Sequence, residues 1–110
     1  MKVELLYFDE CPSYQAAERL LREALAEDGL PGQIEMIRVG DDADAQRLSF
    51  LGSPTIRING IDPFAHGEAS YGMECRVFVT PEGLKGWPSK EMLHDALKQM
   101  TRRQGEGVTC

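Results

Sequence analysis

Apolar residues in this chain fall into short runs separated by turn-forming residues, and the spacing within a run changes from one run to the next. Lys2 to Phe8 (KVELLYF) is largely apolar and is closed by the polar pair Asp9-Glu10. That is too short for a stable helix and suits a buried strand. From Pro12 to Asp28, Ala17, Leu20, Leu21, Ala24 and Leu25 recur at helical spacing, with Glu18/Arg22 and Arg19/Glu23 at i,i+4 on the other face. Gly29 and Pro31 end this amphipathic helix.

Ile34 to Val39 alternates apolar and polar residues and reads as a second strand. Gly40 with Asp41-Asp42 then supplies a turn and a helix start, and Ala43 to Leu51 a short helix stopped by Gly52. Asp41, Asp42 and Asp44 are helix-start acids, since no calcium-loop spacing surrounds them. Pro54 to Ile58 is a strand opened by proline, where a missing N–H does least harm, and Asn59-Gly60 turns the chain. Residues 61–74 form a long connection, Cys75 to Thr80 (CRVFVT) a fourth strand, and Pro81 to Pro88 a turn region. Ser89 is placed to cap a last helix whose Met92, Leu93, Ala96, Leu97 and Met100 share a face.

The order strand, helix, strand, helix, strand, strand, helix (βαβαββα) predicts an α/β domain: a mixed four-stranded sheet flanked by helices. Two βα crossovers give parallel pairing, and a hairpin of the last two strands gives an antiparallel pair. Residues 1-103 are read as this domain and 104-110 as a flexible C-terminal tail.

Composition narrows the function. A chain of 110 residues holds one modest core, and 42% hydrophobic with 27% charged residues is ordinary for a globular protein. A net charge of -6 argues against nucleic acid and anionic membrane as partners, because phosphate recognition needs a surplus of Lys and Arg on one face. The apolar run at Val3 to Phe8 is far shorter than a signal-peptide core or a membrane span. A cytoplasmic protein is expected. Its three cysteines, at 11, 75 and 110, lack the close pairing of zinc ribbons or small disulfide scaffolds.

Cys11 is the candidate for chemistry, against the alternative that it is a small buried hydrophobe, as most free cysteines are. It follows the first strand and precedes Pro12, which favours a helix start, so the thiol is expected at the helix N-cap. There the helix dipole and unpaired N–H groups stabilise a thiolate, making the sulfur a nucleophile or a soft-metal ligand. Asp9 and Glu10 oppose this by repulsion. His66 and His94 have no ligand partner at helical or turn spacing, Trp87 reads as a packing residue, and no cofactor motif is present.

CPSY after a first strand, followed by Ser53-Pro54-Thr55 opening the third, resembles the thioredoxin superfamily. The segments LLYFDECPSY, FLGSPTIRING with the following DPF, and CRVF with a later GWPS are similar to small bacterial thioredoxin-like proteins loosely labelled alkylmercury lyase-related. None of the two-cysteine and carboxylate motif of true organomercurial lyases is matched residue by residue. The resemblance implies a thioredoxin-like fold with Cys11 as reactive thiol. It also implies a cis peptide bond at Ser53-Pro54, whose backbone contacts a thiol-bearing substrate, with Pro12, Ser13 and Tyr14 beside the site. Tyr14 stands where a dithiol oxidoreductase has its resolving cysteine, which removes a self-contained CxxC cycle. Its ring either offers a hydroxyl to the site or packs against the sheet.

If the last two strands form a hairpin, Cys75 lies at the sheet edge opposite Pro54, roughly 15 Å away and out of disulfide reach. Cys110, on the tail, is open to intramolecular, intermolecular or no pairing. Three functions follow: monothiol exchange with disulfides or glutathione adducts of a protein or small molecule; binding of mercury, an organomercurial or another soft metal; or a non-catalytic interaction module. A buried Cys11 sulfur favours the last.

Overall fold

The computed structural model describes residues 2–30, 33–64, 72 and 77–109, the last nine by backbone alone. The elements are β1 (Val3–Tyr7), α1 (Ser13–Glu27), β2 (Glu35–Arg38), α2 (Asp42–Arg47), β3 (Thr55–Ile58), β4 (Phe78–Thr80), β5 (Gly83–Lys85) and α3 (Lys90–Thr109).

The alternation within β1 explains why it is central. Val3 and Leu5 point to one face of the sheet and Leu6 and Phe8 to the other, and all four are buried. A strand apolar on both faces has no side to give to water, so it takes a neighbour on each edge. β2 pairs with it in parallel, with Leu5 opposite Met36 and Leu6 opposite Ile37. β3 pairs with it antiparallel, with Val3 opposite Ile58 and Leu6 opposite Thr55.

Among the described residues the main sheet therefore has three strands in the order β2-β1-β3, where four were expected. β4 pairs with β5 instead, in a separate two-stranded sheet, with Val79 opposite Leu84. β5 lies in the stretch read as turn, because its single exposed apolar residue, Leu84, leaves no periodic signal. The expected parallel pairing from the second crossover is also replaced: β3 returns along β1 in the opposite direction. Cys75, His66 and Cys110 lie outside the described residues, as does the first part of the expected fourth strand.

Two cores result. On one face, Val3, Leu5, Ile56 and Ile58 pack under Ala17, Leu21, Ala24 and Leu25 of α1 and Leu93, Ala96, Leu97 and Met100 of α3. On the other, Leu6, Phe8, Cys11, Val39, Ala45 and Phe50 form a smaller cluster roofed by α2. That helix starts where expected: the Asp41 side chain accepts from the Asp44 N–H at 2.8 Å. It ends early, at Arg47, because Ser49 takes a positive φ of 55° and turns Phe50 inward. Ser89 caps α3 as read, accepting from the Met92 N–H at 3.1 Å, and the helical backbone runs to Thr109, beyond the apolar stripe.

A polar latch joins α1 to α3. Lys90 Nζ donates to Glu23 at 3.2 Å and to Glu27 at 2.8 Å. His94 places Nδ1 2.9 Å from Asp28 and Nε2 2.9 Å from Glu27. With a carboxylate on each ring nitrogen, both nitrogens act as donors in the imidazolium form. Asp28 first, then Glu27, therefore raises the His94 pKa above its ordinary value, while Lys90 and then His94 lower that of Glu27. Helical or turn spacing offers His94 no partner because its partners lie 66 and 67 positions away in sequence, where no periodicity could show them.

Candidate functional site

The chain leaves β1 through Phe8, and the Cys11 N–H donates back to the Phe8 carbonyl at 3.2 Å. Pro12, at φ -70° and ψ -15°, is the N-cap of α1, so Cys11 sits one residue before the cap rather than on it. The Pro12 carbonyl accepts from the Gln15 N–H at 3.2 Å and starts the helix. Pro12 itself makes no side-chain capping hydrogen bond.

Cys11 is fully buried, 0% exposed, within the smaller core. Its Sγ donates to the Ser53 carbonyl at 3.5 Å, a contact that needs the proton on sulfur. Ser53 is presented by the loop between α2 and β3, and the Ser53-Pro54 peptide bond is cis. Three anchors hold this loop. The Thr55 hydroxyl donates to the Gly52 carbonyl at 2.6 Å, while Arg57 reaches back to the Leu48 carbonyl and, at 3.0 Å, to the Ser49 carbonyl. Gly52 itself has a φ of 120°, a conformation open to glycine. Ser53 and Pro54 are buried beside the thiol, and Ser53 Oγ has no hydrogen-bond partner among the described residues.

The other residues singled out in the sequence divide. Pro12 is exposed and Ser13 half-buried, both at the start of α1 next to Cys11. Tyr14 turns away to the larger core: it stacks on Tyr7 with ring centroids 4.3 Å apart. Asp9, whose charge was expected to oppose a thiolate, is held by Arg38 Nε at 2.6 Å. This pair offsets part of that repulsion.

Some contributors escaped the sequence reading. Arg57 looks like an outward residue of a strand, yet it ties β3 to the end of α2. Phe50 falls inside the helix expected over Ala43 to Leu51, yet it lies beyond the end of α2 and is the largest fully buried side chain among the described residues. Gly86 approaches α1 so closely that a Cβ there would lie 2.3 Å from Ser13 Oγ and 3.0 Å from Ser13 Cβ. This contact seats Trp87 against the first turns of α1, which only its glycine could have hinted at.

Among the described residues, no group of three or more His, Cys, Asp or Glu side chains is arranged to hold a metal ion, and no helix is long and apolar enough to cross a membrane. Fold and site together define a small mixed α/β protein with a buried thiol held against a cis-proline loop. Compared with known proteins, the chain matches no family model, no curated protein and no solved structure.

Proposed function

We propose that the protein is a thioredoxin-type monothiol protein of the cytoplasm, in which Cys11 exchanges with disulfides or glutathione adducts. The observation that carries this reading is the contact of Cys11 Sγ with the Ser53 carbonyl at the cis Ser53-Pro54 bond, across 42 positions of sequence. Parallel β1–β2 pairing, antiparallel β1–β3 pairing and the strand-to-helix position of Cys11 support the same fold type.

In the reaction Cys11 loses its proton to solvent and the thiolate attacks one sulfur of a partner disulfide. A Cys11 mixed disulfide forms, the partner S–S bond breaks, and the leaving thiolate takes up a proton. An external thiol, in its thiolate form, then attacks the partner's sulfur in the mixed disulfide, forming a new disulfide and releasing Cys11. Ser53 and Pro54 would lie along the partner's backbone. The cycle needs the Cys11–Ser53 contact to open, because the sulfur is covered in this state.

That complete burial, with Tyr14 in place of a second thiol, favours a second reading, a non-catalytic interaction module of the same fold. Exposure to 2-hydroxyethyl disulfide at pH 7, with the Cys11 peptide followed by mass spectrometry, separates the two. Exchange predicts a mixed disulfide on Cys11 forming at least as fast as on free cysteine. Labelling only at the rate of global unfolding, measured in parallel by hydrogen exchange, leaves the interaction module.

A further inference from the structure

A groove of about 390 Å³ opens beside the residue that follows Cys11, lined by Pro12, Ser13, Gln15, Ala16, Arg19 and Trp87. Its long wall is α1. From Pro12 to Arg19 the helix advances about 10 Å at its usual rise. An extended chain covers that distance in about three residues. The opposite wall is Trp87, seated by the close approach of Gly86 to Ser13.

The groove is charged in one sense. Among the described residues Arg19 is the only charged side chain lining it, and Lys85 Nζ stands 5.8 Å from the centre of the Trp87 ring. The nearest carboxylate to Arg19 is Glu23, at 3.8 Å, which also accepts from Lys90 at 3.2 Å and so is shared between two cations. The Arg19 side chain is 69% exposed, so solvent reaches it beside its pair with Glu23. On a chain of net charge -6, a groove with this lining is a local reversal of sign.

We propose that this groove docks an extended, acidic segment of the protein whose disulfide Cys11 exchanges, with a carboxylate about three residues from the reacting cysteine meeting Arg19. This rests on the exchange reading of Cys11. The aliphatic part of the segment lies over Pro12 and Ala16 against the Trp87 ring, and the carboxylate at the far end sets direction and partner choice.

Trp87 is the chain's only tryptophan, so its fluorescence reports the groove directly. The probe is an acetylated, amidated tetrapeptide, S-methylcysteine-Ala-Ala-Glu, which cannot exchange, titrated against its Gln and Lys analogues. The Glu peptide is expected to change Trp87 emission saturably and to bind about two- to fivefold tighter than the Gln peptide, the range an exposed ion pair supports. Arg19→Gln should remove that preference, and 0.5 M salt should shrink it. Equal binding of the three peptides, no saturable change, or a preference that survives Arg19→Gln overturns the proposal. Because the peptide carries no reactive sulfur, these outcomes are independent of whether Cys11 exchanges at all; failure of Cys11 to react with 2-hydroxyethyl disulfide would instead strike the exchange reading.

Discussion

Replacing Phe50 by alanine tests whether the smaller core is what keeps the Cys11 sulfur covered. Phe50 is fully buried and meets Phe8 edge-on, with ring centroids 6.5 Å apart at 85°. Cys11 belongs to the same cluster, which has six buried members among the described residues. So small a cluster has few side chains free to collapse into the space left, and the cost should fall near the middle of the usual range for Phe→Ala, about 4 kcal/mol. For a domain of this size that lowers Tm by roughly 20 °C and removes about a third of a typical folding stability. Urea denaturation gives the free energy, and iodoacetamide labelling of Cys11 under native conditions gives the local consequence. Labelling should accelerate well beyond what the stability loss alone allows. Phe78→Ala, in the larger core, is the control: it destabilises the fold but should expose Cys11 only through global opening. A Phe50→Ala cost below about 1.5 kcal/mol, or Cys11 labelling no faster than in the Phe78→Ala control, would refute the argument.

Two further outcomes follow from contacts between distant parts of the chain. The raised pKa of His94 means that its contribution to stability is complete below about pH 6.5, its ordinary value, and is lost as pH climbs through the folded-state value. Glu27 runs the other way: its contribution is present above its ordinary value of 4.5 and is lost as acid titrates the lowered folded-state group. The latch between α1 and α3 is therefore fully engaged between about pH 4.5 and 6.5. The stability gap between the native chain and His94→Gln should be largest there and close by pH 9 in urea titrations; a gap that does not change with pH would contradict the assignment. Gly86→Ala should cost about 1–3 kcal/mol, because the new methyl group meets the backbone-anchored Cβ of Ser13 as well as its hydroxyl. Adding Ser13→Gly should recover part of that loss in thermal melts despite its own helix penalty, and additive losses would rule out the steric account.

Where residues interact with neighbours a few positions away, the sequence alone was sufficient. The apolar stripe of α1, the apolar run of β1, the alternation around β2, the caps at Asp41 and Ser89 and the turn at Asn59-Gly60 all express local geometry: the 3.6-residue turn, the two-residue pleat and short-range side-chain capping. Pro12 likewise placed Cys11 at the head of α1 to within one residue.

Only the tertiary structure decided what those elements meet. Strand spacing cannot say that β3 returns antiparallel beside β1 while β4 turns away to pair with β5, since backbone ladders accept either neighbour and side-chain packing on the two faces selects between them. The same holds for His94 between two carboxylates of α1, Arg57 under the end of α2 and Gly86 against Ser13. It holds above all for Cys11. Its place on the chain proclaimed a helix-start thiol, but whether that thiol faces water or protein depended on a loop 42 residues later, whose carbonyl accepts its hydrogen bond and whose cis-proline turn helps to close it in.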